Sequence, residues 1–193
     1  SIDLQTKGKE ITAITILGQV PGEVELVSTK AAPHFQSMAD AKGKTLGVTG
    51  LGSSTNFLTQ YLASRHGITS KQFSVLPVGA DNTFIAAMKQ GRIDAGMTTE
   101  PTASLLLKTG DAQVLVDMRT VEGTVKALGG LYPASSVYVQ RSWLNSHKEE
   151  AQKLARAFVK TLRFINTHSA EQIAEKMPKD LSLIHISEPT RRS

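Results

Sequence analysis

The sequence lacks cysteine and long apolar runs, and each absence excludes a class of protein. Because none of the 193 residues is cysteine, the chain has no disulfide bond, no thiolate nucleophile and no cysteine-ligated zinc. No apolar run approaches the ~18 residues that a membrane-spanning helix needs. The chain begins at Ser1 without a start methionine or a signal-peptide pattern, so we expect a cut N-terminus.

Clusters of like charge are missing as well. The 22 basic and 17 acidic residues give a formal charge of +5, but they are interspersed, as in Lys148-Glu149-Glu150. Nucleic-acid-binding segments carry runs of about five or six like charges, so we expect no nucleic-acid partner. Hydrophobic residues make up 40% of the chain, which is enough for the cores of one or two small lobes.

The end of the chain, residues 181–193, differs in character from the rest. Its residues 181–191 read LSLIHISEPTR and look like the translation of a sequencing adapter. We therefore treat residues 181–193 as a non-native tail and expect the natural sequence to be interrupted near Asp180. His185, which lies in this tail, is then not a candidate ligand.

Residues 44–62 form the most informative stretch. Their pattern predicts a strand at residues 45–49, a glycine loop, and a helix whose apolar residues recur at three-to-four spacing. The loop ends in hydroxyl residues that cap helices, and the N–H groups of a first helical turn have no partner inside the helix. Such a turn binds small anions. We predict an anion site, residues 52–56, with ligand contacts from Gly52, Ser53, Ser54, Thr55 and Asn56.

A simpler interpretation of this stretch stays open, in which Ser53 only caps the helix and the glycines only form a tight turn. More specific motifs do not fit. A phosphate-binding loop ends in Gly-Lys-Ser/Thr, whereas Asn56 and Phe57 follow Thr55. A dinucleotide-binding loop and a serine-hydrolase turn would each have a glycine in place of Thr55. We therefore predict neither a nucleotide site nor a catalytic serine.

The chain as a whole alternates between strand and helix patterns, which predicts an α/β fold with a mostly parallel sheet. Strands are predicted at residues 11–17 (buried), 24–29, 45–49, 73–77, 95–98, 114–118 and 135–140, and helices at 82–90, 101–108, 149–167 and, capped by Ser169, up to 177. Residues 120–133 contain several glycines and are predicted to be a hinge loop. Ligands of such folds lie beyond the carboxyl ends of the strands. Gly79, Thr99, Glu100 and Arg119 follow predicted strands and are further candidate ligand contacts.

Several segments resemble one family. Residues 40–48, DAKGKTLGV, resemble the Asp-Leu-Lys-Gly-Lys-x-Val-Gly-Val segment of ABC-transporter solute-binding proteins of the nitrate/sulfonate/taurine type. Residues 52–55 fall where that family has its Gly-Ser-Ser-Thr ligand loop. Residues 86–95, AAMKQGRIDA, and the pair Glu100-Pro101 are similar to its next two motifs. The likeness covers residues 8–180.

The resemblance implies a two-lobed, type II periplasmic binding protein-like fold. Residues 1–22 would be a partial lobe one, residues 23–131 a nearly complete lobe two with the ligand loop, and residues 132–180 the return to lobe one. The implied protein is a periplasmic monomer that binds a small anion, such as a sulfonate, carboxylate or nitrate-like group, and delivers it to the membrane permease of an ABC importer. In the family, residues before the present start also contact the ligand.

Two other functions stay open. One is an enzyme of the same fold, related to the branch that makes the thiamin pyrimidine with cysteine and histidine residues, and the absence of cysteine counts against it. The other is the effector domain of a transcription regulator. His34, His66, His147 and His168 are isolated in sequence and lack the spacing of a metal pair. We predict no metal, no cofactor and no catalytic residue.

Overall fold

The computed structural model describes residues 2–178. Gly18–Ala134 form a larger compact unit, and the segments up to Leu17 and from Ser135 form a smaller one. The divisions predicted after residues 22 and 131 both fall inside the larger unit. The backbone N–H of Tyr132 donates to the carbonyl of Gln19 over 3.2 Å. This hydrogen bond joins the first and last segments of the larger unit to each other. The predicted tail, residues 181–193, lies outside the described residues.

The described part of the chain alternates between strands and helices, as predicted. The strands are β1 (Ile11–Ile16), β2 (Val24–Ser28), β3 (Thr45–Val48), β4 (Ser74–Pro77), β5 (Ala95–Thr98), β6 (Ala112–Asp117) and β7 (Ser136–Gln140). The α-helices are α1 (Ile2–Thr6), α2 (Ser54–Arg65), α3 (Asp81–Lys89), α4 (Thr102–Lys108), α5 (Val121–Leu128), α6 (Arg141–Ser146), α7 (Lys148–Thr167) and α8 (Ala170–Lys176). A short 3-10 helix spans Met38–Ala41.

The larger unit is built on a five-stranded sheet with the order β4-β3-β5-β2-β6. β3 pairs in parallel with β4 and β5, whereas β2 is antiparallel to both β5 and β6. The prediction of a mostly parallel sheet was therefore wrong for β2, because the apolar pattern of a buried strand does not encode its direction. As a result, the amino end of β2 lies at the same edge as the carboxyl ends of its neighbours.

Helices cover both faces of this sheet. On one face, α2 packs through Leu58 and Leu62, one turn apart, against a core that includes Met97 of β5. On the other face, α3 and α4 pack through Phe84 and Leu106 against β2. Burial of each such side chain contributes ~1.5–3 kcal/mol, so the two cores fix α2 and its N-terminal loop against the sheet.

The prediction of a hinge loop at residues 120–133 was wrong, because most of this segment is helix α5. Thr120 caps the helix by accepting the N–H of Gly123, and Gly129 ends it with a left-handed φ of 85°. The glycine at position 123 suggested a loop in the sequence, but in the structure a residue without a side chain is required there by the packing of α5. A Cβ there would lie 2.0 Å from the carbonyl oxygen of Asp117.

The smaller unit contains a two-stranded antiparallel sheet, β1 with β7. The prediction of a buried first strand was wrong, since none of the β1 side chains is fully buried and Ile16 is 55% exposed. Helix α6 was not predicted. The predicted capping box of the last helix is confirmed: Ser169 accepts the N–H of Gln172, whose side chain accepts the N–H of Ser169. Within residues 2–178, no helix has the length and apolarity needed to cross a membrane.

Candidate ligand-binding site

The candidate site lies at one edge of the five-stranded sheet. The loops that follow β3, β4, β5 and β6 leave the sheet at this edge, because those four strands run in one direction. The predicted contacts Gly79, Thr99 and Glu100 lie in or at the start of these loops, as does the anion site. The reversed strand β2 brings Glu23 to the same edge, immediately before its first residue.

The loop between β3 and α2 is held by its own hydroxyl groups. Ser53 donates from Oγ to the carbonyl of Gly50 over 2.6 Å and accepts the N–H of Asn56 over 3.2 Å, which makes it the N-cap of α2. Gly52, with a φ of 76°, supplies the left-handed turn before it. The simpler interpretation thus describes the Ser53 side chain correctly, because its hydroxyl has internal partners.

Thr55 ties the helix start back to the strand. Its Oγ1 accepts the N–H of Thr49 over 3.0 Å and lies 2.9 Å from Thr49 Oγ1 and 2.7 Å from Ser53 Oγ. The side chain of Asn56 is buried and accepts a hydrogen bond from Gln60 over 2.7 Å. These contacts make the loop rigid and leave few side-chain donors for a ligand.

The hydrogen-bond donors of the anion site that lack a partner within the helix lie in the first turn of α2. The N–H groups of Ser54 and Thr55 have no carbonyl four residues back within α2, and the positive end of the helix dipole lies here. The Ser54 hydroxyl is buried and has no hydrogen-bond partner. Ser54 is therefore the member of the predicted set whose side chain has no partner within its own loop.

Two buried carboxyl groups lie on the α2 face of β2, and the sequence interpretation missed both. Glu23 is 5% exposed and Glu25 is fully buried. Burial raises the pKa of Glu23 to about 7, an effect that the neighbouring Ser54 hydroxyl partly offsets. Burial raises the pKa of Glu25 to about 8, while a hydrogen bond from Thr59 lowers it and the Glu23 charge raises it. Acids at alternate positions of an otherwise apolar strand were the available signal, since such residues share one face.

Arg119 lies in an ion-pair group after β6. Its Nε and Nη2 donate to the two carboxylate oxygens of Asp117 over 3.0 and 2.6 Å, and its Nη1 donates to Glu100 over 2.5 Å. Hydrogen bonds to Asp117, which has the larger effect, and to Glu100 raise the pKa of Arg119. Arg119 in turn lowers the pKa of Asp117. Burial raises the pKa of Glu100, but hydrogen bonds from Ser104 and Arg119 outweigh it. The structure thus brings the two predicted contacts Glu100 and Arg119 together as partners of each other.

Gly79 and Thr99 occupy tight turns of their own. Gly79 has a φ of 74°, and a Cβ there would come within 2.6 Å of Thr83 Oγ1. The Thr99 carbonyl accepts the N–H of Ala103 over 3.1 Å, and the next peptide bond, Glu100–Pro101, is cis. Their part in ligand binding stays a prediction.

A family model described as NMT1/THI5 like matches residues 3–172. The chain belongs to the NMT1/THI5-like family. A protein of Bordetella bronchiseptica RB50 with a solved structure is 34% identical, with a TM-score of 0.85, over 92% of this chain and 56% of that protein. The comparison with curated proteins gave no significant match.

Two further solved structures show the fold of this NMT1/THI5-like chain. The periplasmic aliphatic sulphonate binding protein SsuA of Escherichia coli is 20% identical with a TM-score of 0.70, over 96% of this chain and 58% of SsuA. The periplasmic nitrate-binding protein NrtA of Synechocystis PCC 6803 is 16% identical with a TM-score of 0.60, over 89% of this chain and 45% of NrtA. The predicted family and type II periplasmic binding fold class are confirmed. The chain spans only about half the length of these relatives.

The described histidines of this NMT1/THI5-like chain are not part of a metal-binding group. Within residues 2–178, no group of three or more histidine, aspartate or glutamate side chains is placed to hold a metal ion. His147 stacks on Trp143 and His168 stacks on Phe164, each one turn back on its own helix. These two rings therefore contribute to helix ends in the smaller unit.

Proposed function

We propose that this chain is the solute-binding component of an ABC importer and that it binds a small anion at the anion site. The observation that carries the proposal is the start of α2, where the N–H groups of Ser54 and Thr55 have no partner within the helix and the buried Ser54 hydroxyl has none in its own loop. These donors converge at the sheet edge where ligands of open α/β folds bind.

The hydrogen-bond donors at the start of α2 are numerous enough to bind a small anion. A helix N-terminus favours an anion by ~0.3–1 kcal/mol, and each charge-assisted hydrogen bond adds ~1.5–3 kcal/mol. Because the hydroxyls of Ser53 and Thr55 have internal partners, their contribution is to hold the turn in shape. The predicted contacts Gly79, Thr99, Glu100 and Arg119 remain part of this proposal as the surrounding edge.

The names of the structural neighbours support the same function class. SsuA of Escherichia coli is described as a periplasmic aliphatic sulphonate binding protein and NrtA as a periplasmic nitrate-binding protein. By analogy we propose a sulfonate, carboxylate or nitrate-like ligand, a periplasmic location and a membrane permease as partner. A signal peptide in the complete gene, together with recovery of the protein in the periplasmic fraction, would test the location.

A thermal-shift experiment tests the ligand class. The protein expressed from its complete gene is heated with ethanesulfonate, nitrate or acetate, and with tetramethylammonium as a cationic control. An anion at a hundred times its Kd adds ~2.7 kcal/mol of stability, which is a readily measured shift. Stabilisation by tetramethylammonium alone would show that the ligand class is wrong.

Two serine variants locate the binding. Ser54→Ala removes the unpartnered hydroxyl, and Ser64→Ala removes a hydroxyl of the same helix that bonds only to the Tyr61 carbonyl. We expect Ser54→Ala to weaken anion binding about tenfold, the effect of ~1.4 kcal/mol, and Ser64→Ala to leave it unchanged. Equal affinity in both variants would place the anion elsewhere.

The two alternative functions, an enzyme and a transcription-regulator effector domain, predict different experimental results. An enzyme of the thiamin-pyrimidine type would turn over a substrate, and we expect no turnover in assays of the complete protein. A transcription-regulator effector domain would have a helix-turn-helix segment encoded upstream in the gene. We propose neither, because no observation on the described residues favours a catalytic or DNA-binding role.

A further inference from the structure

Glu23 lies beside the anion site, and its carboxyl group is buried there. Its side chain is 5% exposed, and it directly precedes β2 at the ligand edge of the sheet. Its backbone carbonyl accepts the N–H of Met118 over 3.0 Å, which holds the residue in the sheet. The carboxyl oxygen Oε2 is buried without a hydrogen-bond partner. Buried polar atoms nearly always have partners, so this exception points to a partner outside the chain.

The neighbour of this carboxyl group is Ser54. Hydrogen bonding with the Ser54 hydroxyl lowers the Glu23 pKa against the larger effect of burial. Apart from each other, Glu23 Oε2 and Ser54 Oγ have no partner in the described protein. Two buried polar groups, one immediately before β2 and one from the first turn of α2, therefore lie side by side without another partner among the described residues. Ser54 is also the first residue of α2, whose first N–H groups have no partner within the helix.

The charged groups around Glu23 do not compensate for a negative charge there. On β2 itself the nearest ionisable group is another acid, Glu25, which is coupled to Glu23 through its charge. The first turn of α2 has no acidic side chain, and its residues Ser54, Thr55 and Asn56 are not ionisable. No ionisable residue lies on β5, and Asp117 is the last residue of β6. Glu100, which follows β5, and Asp117 each form an ion pair with Arg119, which follows β6.

A carboxyl group in this setting is held in its neutral form more strongly than usual. Burial raises the pKa of Glu23 to about 7. A bound anion would favour the neutral form further, because two like charges in contact repel. A neutral carboxyl group has an O–H that can donate, whereas an ionised one can only accept.

We propose that Glu23 belongs to the anion site and, as a neutral carboxylic acid, donates a hydrogen bond to the bound anion. This inference rests on the proposed function and adds a specificity residue to it. Anion binding then requires the proton on Glu23. Affinity is constant below the pH at which the free group titrates and falls about tenfold for each pH unit above it.

Glu25 provides a matched control. It is two residues from Glu23 on the same face of β2 and is also a buried acid, but it accepts a hydrogen bond from Thr59 over 2.8 Å. Glutamine in either position keeps the shape and removes the titration. Only Glu23 lies beside the anion site, so only Glu23→Gln should change how binding depends on pH.

The first measurement is of the wild-type protein, expressed from its complete gene. The carboxyl carbon of Glu23 is followed by NMR from pH 5 to 9, with and without ethanesulfonate or nitrate, two anions that stay ionised throughout. We expect titration near pH 7 without anion and at higher pH with at least one of them. A titration that neither probe raises, or that a probe lowers, would overturn the proposal.

The second measurement is the Kd of the same anions at pH 6 and pH 8. We expect a weakening of about tenfold in the wild type and in Glu25→Gln, and a Kd independent of pH in Glu23→Gln. If the wild-type Kd does not change with pH while Ser54→Ala still weakens binding, the proposed role of Glu23 is refuted, but the proposed function is not. Absence of anion binding at every pH would refute the proposed function as well.

Discussion

Thr59 donates a hydrogen bond from Oγ1 to Oε2 of Glu25 over 2.8 Å, and both side chains are fully buried. The other oxygen of Glu25 has no partner. A helix residue and a strand residue thus share one polar contact inside an otherwise apolar core. The contact is compatible with a neutral carboxyl group, which gives the protein an unusual dependence on pH.

We predict that stability falls as the pH rises from about 4.5 to about 8. The pKa of Glu25 is raised from 4.5 to about 8, so over this range the folded state keeps a proton that the unfolded state has lost. The unfolded state then binds fewer protons, and the free energy of unfolding decreases with pH.

Glu25→Gln tests this prediction. We expect the variant to exceed the wild type by on the order of 2–4 kcal/mol at pH 8 and to differ from it by less than ~1 kcal/mol near pH 5. The measurement is denaturant unfolding at both values. A wild type that becomes more stable between pH 5 and pH 8, with no gain in the variant, would show that Glu25 is ionised in the core.

The two serines at the start of α2 should separate stability from binding. Ser53→Ala removes the N-cap and should cost ~1 kcal/mol of stability. Ser54→Ala removes a buried hydroxyl without a partner, so stability should stay within ~0.5 kcal/mol while anion binding weakens. Denaturant unfolding and calorimetric titration of the pair check this. The reverse pattern would mean that Ser53 is the ligand contact.

Gly123 should tolerate no side chain. Alanine there would place Cβ 2.0 Å from the Asp117 carbonyl oxygen, so α5 would have to move away from β6. We expect a loss of ~2 kcal/mol or more. At Gly130 a Cβ meets nothing within 4 Å, and Gly130→Ala should change stability by less than ~0.5 kcal/mol. Equal effects in the two unfolding curves would contradict the packing of α5.

Hydrogen exchange should be unequal between the two units. β3 has a strand on each side and is largely buried, whereas β1 is half-exposed and, within residues 2–178, pairs with β7 alone. Two-stranded sheets are marginally stable alone. We expect the amides of Thr45–Val48 to exchange more slowly than those of Ile11–Ile16. Mass spectrometry of the exchanging chain would contradict us if both segments were equally protected.

The sequence was sufficient for most elements and for the family. Strand and helix positions follow from apolar periodicity, and the cap of α2 follows from the residue types at its start. The helix at Val121–Leu128 was missed because glycine is a loop signal in sequence, and the packing need of Gly123 is a tertiary property.

The candidate site was predictable in place but not in detail. The loop at residues 52–56 was recognisable, yet its hydroxyl partners depend on the path of β3 and α2. Glu23 and Glu25 were overlooked because the direction and the buried face of β2 are set by pairing with β5 and β6. Local pattern has no information on such long-range pairing.

The hydrogen bond between Tyr132 and Gln19 joins the two ends of the larger unit, and just outside it Leu17 donates to Ser135 over 2.9 Å. The first and last residues of the larger unit therefore lie close together. Gly18–Ala134 is thus a domain inserted between β1 and β7, two strands that pair with each other. Domains with adjacent termini tolerate circular permutation and insertion into another chain. We therefore expect that residues 18–134 can be replaced by the matching segment of a relative without a change in the pairing of β1 with β7.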